Sequence, residues 1–304
     1  MKPLRPLSQQ KLVISASRRT DLPAFFGEWF QNRLLAGFCR VRNPFNPRQI
    51  SRLELSPETV EAFVFWTRNP QPFLPVLDCL DQLGFRYVFL MTITGYPREL
   101  ERNTPEVEAQ IDALQQLSER IGPDRLAWRY DPVLLSNHTD LAWHLQNLDR
   151  LVSRVRGHVH HLIISLADFY QKTERHLKEL EPHGWEFNRE PETKPGFSRF
   201  LADLSQCAAE AHLPLYSCCE ASPLFPEAGI KSGSCIDPQW LNEVCHLPLP
   251  IDIRDKGQRP HCRCAPSRDI GSSNTCRHGC LYCYATRSHD PGKQPSHDCH
   301  SEFL

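Results

Sequence analysis

Short apolar runs recur along this chain, and nearly every one ends in a cluster of polar or charged residues before helical periodicity takes over. That alternation constrains the fold more than any other feature. Short strands each followed by a helix pair in parallel, because the helix carries the chain back to the starting edge of the sheet. Residues 11–16, 62–66, 87–94, 126–130, 160–166 and 214–217 read as strands, and 23–36, 106–121, 140–155 and 195–211 as helices. Segments 38–41 and 49–53 read as a hairpin-like excursion, and Ser56-Pro57-Glu58 as a helix start with proline at its first position. The expected fold is α/β, a full or partial β/α (TIM-like) barrel over residues 1–233. A cysteine-rich metal-binding segment over 234–287 would pack on the barrel mouth, and 288–304 would form a disordered tail.

The 304 residues suffice for one large α/β domain or two ordinary ones, and a hydrophobic content of 40% suits a globular protein. A net charge of −1 gives no electrostatic case for a nucleic acid partner. No apolar run is long enough to span a bilayer, and the polar N-terminus lacks a signal-peptide core, so a cytoplasmic protein without membrane contact is expected. Thirteen cysteines in a reducing compartment do not make a disulfide framework, and their crowding toward the C-terminus points to metal.

Cys276, Cys280 and Cys283 stand in a Cys-x3-Cys-x2-Cys run. Three thiolates at this spacing can hold three irons of a [4Fe–4S] cluster, leaving the fourth open to a small molecule such as S-adenosylmethionine (SAM). Zinc is the rival, with Cys262, Cys264, His261 or His278 completing four ligands. Cys219, Cys235, Cys262 and Cys264 are expected to form a second four-thiolate site, either a structural metal or an electron-relay cluster. Cys39, Cys79, Cys207 and Cys245 read as small buried hydrophobes, and Cys299 as incidental.

In a β/α barrel the C-terminal strand ends form the mouth where active sites are built. Arg129, Asp131 and Glu220 are the catalytic candidates there, and Arg18, Asp21, Arg68 and Asn69 the cofactor-binding ones. Arg18, Arg19, Arg42, Arg68 and Arg129 suggest an anionic substrate or the SAM carboxylate, since guanidinium suits bidentate carboxylate or phosphate recognition. His160 and His161 fall within one strand, where adjacent side chains point to opposite faces, so they are not expected to share a metal.

The blocks Ser15-Ala-Ser-Arg18-Arg19-Thr20-Asp21, Arg42-Asn43-Pro44-Phe45-Asn46-Pro47, Trp66-Thr67-Arg68-Asn69-Pro70 and Trp128-Arg129-Tyr130-Asp131-Pro132 recur together with Asp269-Ile-Gly271 and the triple-cysteine run. In this set the chain resembles the bacterial domain of unknown function 1848 family, over roughly residues 11–287. A weaker resemblance is to radical SAM enzymes, which implies a barrel, an open-iron cluster and an electron donor. Their cysteines follow the first strand, whereas here that strand ends in Ser-Arg-Arg-Thr-Asp and the motif returns from the C-terminus. The other reading is a zinc- or cluster-stabilised nucleotide or nucleic-acid binding protein without catalysis, with Phe45, Trp66, Trp128 and Tyr130 stacking on bases.

Overall fold

The computed structural model describes residues 11–288 and 297–304. Its strands are β1 (Leu12–Ala16), β2 (Phe38–Arg42), β3 (Ile50–Glu54), β4 (Val60–Thr67), β5 (Tyr87–Thr92), β6 (Leu126–Val133), β7 (His161–Leu166), β8 (Leu215–Cys218), β9 (Lys231–Gly233) and β10 (Ser267–Asp269). Eight of them form one sheet in the order β10-β1-β4-β5-β6-β7-β8-β9. Every pair in it is parallel. β2 and β3 form a separate antiparallel hairpin. The six expected strands are thus present, extended by two short edge strands. β9 and β10 share no ladder among the described residues, but the segments beside them meet. Ala265 N donates to Ile236 O at 2.9 Å, and Ile236 N to Cys264 Sγ at 3.4 Å. This sheet is compatible with a partial barrel.

Alternation along the strands sorts the side chains into two layers. Phe63, Phe65, Phe89, Trp128 and Ile164 face one way, into a core shared with Trp29, Phe30, Leu114, Leu148 and Phe200 of the flanking helices. Val64, Leu90, Ala127 and Ile163 face the other way. They are covered by the chain around Ile236 and by Trp240 and Leu241 of the helix Pro238–Cys245. Trp240 Nε1 donates to Asp124 O, 2.7 Å away and just before β6, so this helix closes the N-terminal end of the second face.

Helices Val107–Ile121, Leu141–Val155 and Phe197–Glu210 lie where periodicity puts them. Asp140 caps the second by accepting from Trp143 N at 2.9 Å. The helix expected over 23–36 is split into Leu22–Phe25 and Gly27–Ala36. The proposed start at Ser56-Pro57-Glu58 is instead a turn. Val60 N already bonds back to Ser56 O at 2.9 Å, and β4 begins at Val60, leaving no length for a helix. The end of the expected tail contacts the fold: Trp29 Nε1 donates to Ser301 O at 2.8 Å, and Arg40 pairs with Glu302 at 2.9 Å. Residues 289–296, the rest of that tail, lie outside the described residues.

His160 precedes β7, so strand alternation does not separate it from His161. Their Nδ1 atoms lie 2.8 Å apart, contrary to the expectation that the two rings point to opposite faces. No helix among the described residues is long and apolar enough to cross a membrane.

Candidate metal centre and active site

Above Val64, Leu90, Ala127 and Ile163, the same two-residue alternation brings Trp66, Thr92, Arg129, Asp131 and Ser165 to the second face at the C-terminal ends of the strands. They line a cavity of about 350 Å³, together with Arg18 to Asp21 after β1 and Cys218 at the end of β8. Ligand crevices of parallel α/β sheets lie outside these carboxyl ends. Seven cysteines line this one: Cys218, Cys235, Cys262, Cys264, Cys276, Cys280 and Cys283.

The triple-cysteine loop is pinned across the cavity by the chain after β5. Leu281 N donates to Leu100 O and Asn103 N to His278 O, each at 2.9 Å, and Cys280 bridges Glu101 in antiparallel fashion. Glu101 is 2% exposed and lies 2.9 Å from Arg68, with Tyr282 Oη and Thr94 Oγ1 also donating to it. His278 Nε2 donates to Asp21 Oδ2 at 2.7 Å. The same oxygen accepts from Arg68 N at 2.7 Å, while Asp21 Oδ1 caps the following helix. Burial pushes the Cys276 thiol up to about 12, helped by the neighbouring Cys283 and Asp21 and opposed by backbone N–H donation from His278 and Asp21. Burial also raises Cys280, with Arg68 acting against it. Thiols so reluctant to ionise become thiolates when a metal supplies the compensating charge. Cys283 Sγ accepts from Ala285 N at 3.4 Å. Three thiols thus line one cavity, with N–H donors to Cys276 and Cys283 and the buried Arg68 beside Cys280, the donor chemistry that a cluster would require.

The other four cavity cysteines differ from the expected set in one member. β8 ends at Cys218, whose sulfur lies 3.4 Å from that of Cys235. Cys219 follows in a left-handed conformation (φ 64°) and is absent from the cavity wall, whereas Cys218 lines it. The neighbouring Cys262 thiol, aided by Arg18 against the opposing effect of burial, lowers the pKa of Cys264. Donation from Cys218 likewise favours the thiolate of Cys235. Among the described residues, no group of three His, Cys, Asp or Glu side chains is placed to hold a metal ion.

The arginine candidates divide. Arg18 and Arg129 both approach the Trp66 ring, at 5.4 and 4.7 Å from its centroid, and line the cavity. Arg129 pairs with Asp131, which also accepts from Ser165 Oγ at 2.6 Å. Arg18 Nη2 and Arg129 Nε are buried and lack an acceptor among the described residues. Arg19 pairs with Asp269 at 3.1 Å. Arg68 is fully engaged with Glu101, Thr94 and Tyr282. Arg42 lies on the hairpin, stacked on Phe303 at 4.2 Å, and does not line the cavity.

Asn69 is also absent from the wall; its Oδ1 accepts from Gln71 N at 3.3 Å in the turn after β4. Glu220 accepts from Leu166 N at 2.8 Å, and burial pushes its carboxyl up to about 7 against that donation. It too stands outside the wall. Of the stacking aromatics only Trp66 reaches the cavity: Trp128 and Tyr130 are 0% exposed, and Phe45 is 97% exposed on the hairpin loop.

Two residues that brace the site had no role assigned from sequence, Glu101 and, within the Asp269-Ile-Gly271 block, Asp269. Glu101 sits in a charged run that looks solvated, and nothing local marks it as buried. Asp269 at the end of β10 binds the loop after β1, accepting from Ser15 Oγ, Ser17 Oγ, Arg18 N and Arg19 Nε at 2.8–3.1 Å.

The blocks that converge on this cavity fall within a single family match. The chain belongs to the family described as Domain of unknown function (DUF1848), whose model covers residues 13–285. A search of curated proteins found no match. Among solved structures, a D-hydantoinase aligns at 11% identity and TM-score 0.32, over 72% of this chain and 45% of that one. The D-hydantoinase from Bacillus sp. AR9 aligns at 11% and 0.30, over 69% and 46%. The dihydropyrimidinase from Brevibacillus agri NCHU1002 aligns at 12% and 0.33, over 77% and 49%. The chain spans less than half the length of each, and superpositions this loose carry no argument about chemistry.

Proposed function

We propose that this protein is an iron–sulfur enzyme of radical SAM type, with a [4Fe–4S] cluster on Cys276, Cys280 and Cys283 and an anionic substrate. The finer expectation of a barrel belongs to the same reading, with the cysteine loop lying over its mouth. The observation that carries it is the convergence of the three thiols on a cavity at the C-terminal ends of parallel strands, with N–H donors to Cys276 and Cys283. Cys276, Cys280 and Cys283 would hold the cluster, which would supply one-electron chemistry to SAM bound at an iron left free of protein ligands.

The chain's own residues do the rest. Glu101 and Asp21 anchor the cysteine loop through Tyr282, Arg68 and His278. Arg18 and Arg129 hold unsatisfied N–H groups for a carboxylate or phosphate, and Trp66 backs both guanidiniums. Asp131 orients Arg129. Because only Trp66 of the proposed stacking set reaches the cavity, a base-stacking binding protein is the weaker reading.

The test is anaerobic purification with iron, sulfide and zinc analysis and EPR of the reduced protein, with and without SAM. A [4Fe–4S] signal that changes on adding SAM, and is lost when Cys276, Cys280 and Cys283 are replaced by Ala, is expected. A SAM-indifferent wild type, or a triple variant with an unaltered SAM response, overturns the reading.

A further inference from the structure

Four cavity cysteines have no part in the cluster proposed above. Cys218, Cys235, Cys262 and Cys264 are each between 2% and 9% exposed and come from three separate stretches of chain. They fall into two pairs. Cys218 and Cys235 have their sulfurs 3.4 Å apart, and Cys262 and Cys264, two positions apart in the chain, line the same cavity. Ile236, the residue after Cys235, joins the pairs by donating its N–H to Cys264 Sγ at 3.4 Å. Chance burial of small side chains explains one such thiol, but not four gathered on one wall beside two arginines.

From this juxtaposition we propose that Cys218, Cys235, Cys262 and Cys264 ligate a second iron–sulfur cluster, facing the triple-cysteine loop across the same cavity. Tetrathiolate ligation is the common mode for iron–sulfur clusters. A single zinc ion needs four donors around one point, whereas these thiols come as the Cys218–Cys235 pair, 3.4 Å apart, and the Cys262-x-Cys264 pair, linked to it through the N–H of Ile236. Two pairs, each able to serve its own iron, suit a cluster better. Four protein ligands leave no iron open, so this centre cannot bind SAM or substrate.

The experiment uses the full chain, reconstituted anaerobically with ferrous iron and sulfide. The triple Ala variant at Cys276, Cys280 and Cys283 should retain iron and sulfide and give a reduced EPR signal that SAM does not alter. Replacing Cys218 and Cys235 together by Ala should remove that share while keeping the SAM-responsive signal. If the double variant does not fold, Cys264→Ser gives the same readout. Cys219→Ala should keep wild-type iron. A folded triple variant without iron and sulfide, zinc without sulfide in it, or iron loss in Cys219→Ala equal to that in Cys264→Ser overturns the proposal. So does undiminished iron in the double variant. Because each cluster is read in a variant lacking the other, failure of one reading leaves the other standing.

Discussion

Asp21 Oδ2 accepts a 2.7 Å hydrogen bond from His278 Nε2, although the two residues are 257 positions apart and only 6% and 3% exposed at their side chains. The loop after the first strand is thereby tied to the histidine between the first two cysteines of the triple run. Asp21 also caps a helix and receives the backbone N–H of Arg68. Replacing it by Ala removes all three bonds. The expected loss is roughly 2–4 kcal/mol, from a cap and buried acceptors left unmade. Urea denaturation measures it, and alkylation of Cys276 in the metal-free protein should quicken. Unchanged stability and labelling would mean that the pair does not hold the loop.

Glu101→Ala leaves the Arg68 guanidinium buried without its carboxylate partner. Removing one side of a buried ion pair is strongly destabilising, about 3–5 kcal/mol. Replacing both partners by apolar residues, Arg68→Met with Glu101→Leu, should recover part of that loss. A double variant less stable than Glu101→Ala would contradict the assignment of the loss to an unpaired charge.

Gly271 is where the β10 end meets the loop after β1. A Cβ there would fall 1.8 Å from Ser17 Oγ and 2.4 Å from Ser17 Cβ. Gly271→Ala should therefore lower stability by about 1–3 kcal/mol or more through overpacking. Ser17→Ala in the same chain should relieve only part of it, because the Cβ clash remains. Thermal melts of the single and double variants measure this, and a neutral Gly271→Ala would show that the two segments separate easily.

His144 gives the fold an acid limit. Burial lowers its folded-state pKa from 6.5 to about 4, opposed by the Leu134 carbonyl and Asp140. Its Nε2 lies 3.2 Å from Leu134 O and its Nδ1 2.8 Å from Tyr130 Oη. Between those pH values the unfolded chain binds the proton and the folded one does not. Stability is therefore fully present above about pH 6.5 and falls as pH drops toward 4, by roughly 2–3 kcal/mol. In melts across this range His144→Gln should be less stable at pH 7 yet show a shallower acid slope; a slope identical to wild type would remove His144 as a cause.

The sequence made the strands legible because each alternates an apolar core face with a second face, and because their polar ends interrupt the pattern. It also delivered the triple cysteines, Arg18, Arg129 and Asp131, which all line the cavity. Two candidates stand away from the cavity wall: Asn69, whose side chain bonds in a turn, and Cys219, whose neighbour Cys218 holds the strand end. The helix Pro238–Cys245 was hidden among loop-rich cysteines, yet it closes the second face of the sheet.

By itself, then, the sequence determined the βα alternation and which residue types could bind metal or anions, since periodicity and side-chain chemistry are local properties. Tertiary structure alone decided which of them meet. Glu101, Asp269 and Cys218 acquire their roles from partners far away in the chain: Glu101 from Tyr282, Asp269 from Ser17 and Arg19, Cys218 from Cys235. Such pairings depend on strand order and loop closure in three dimensions, and no spacing along the chain encodes them.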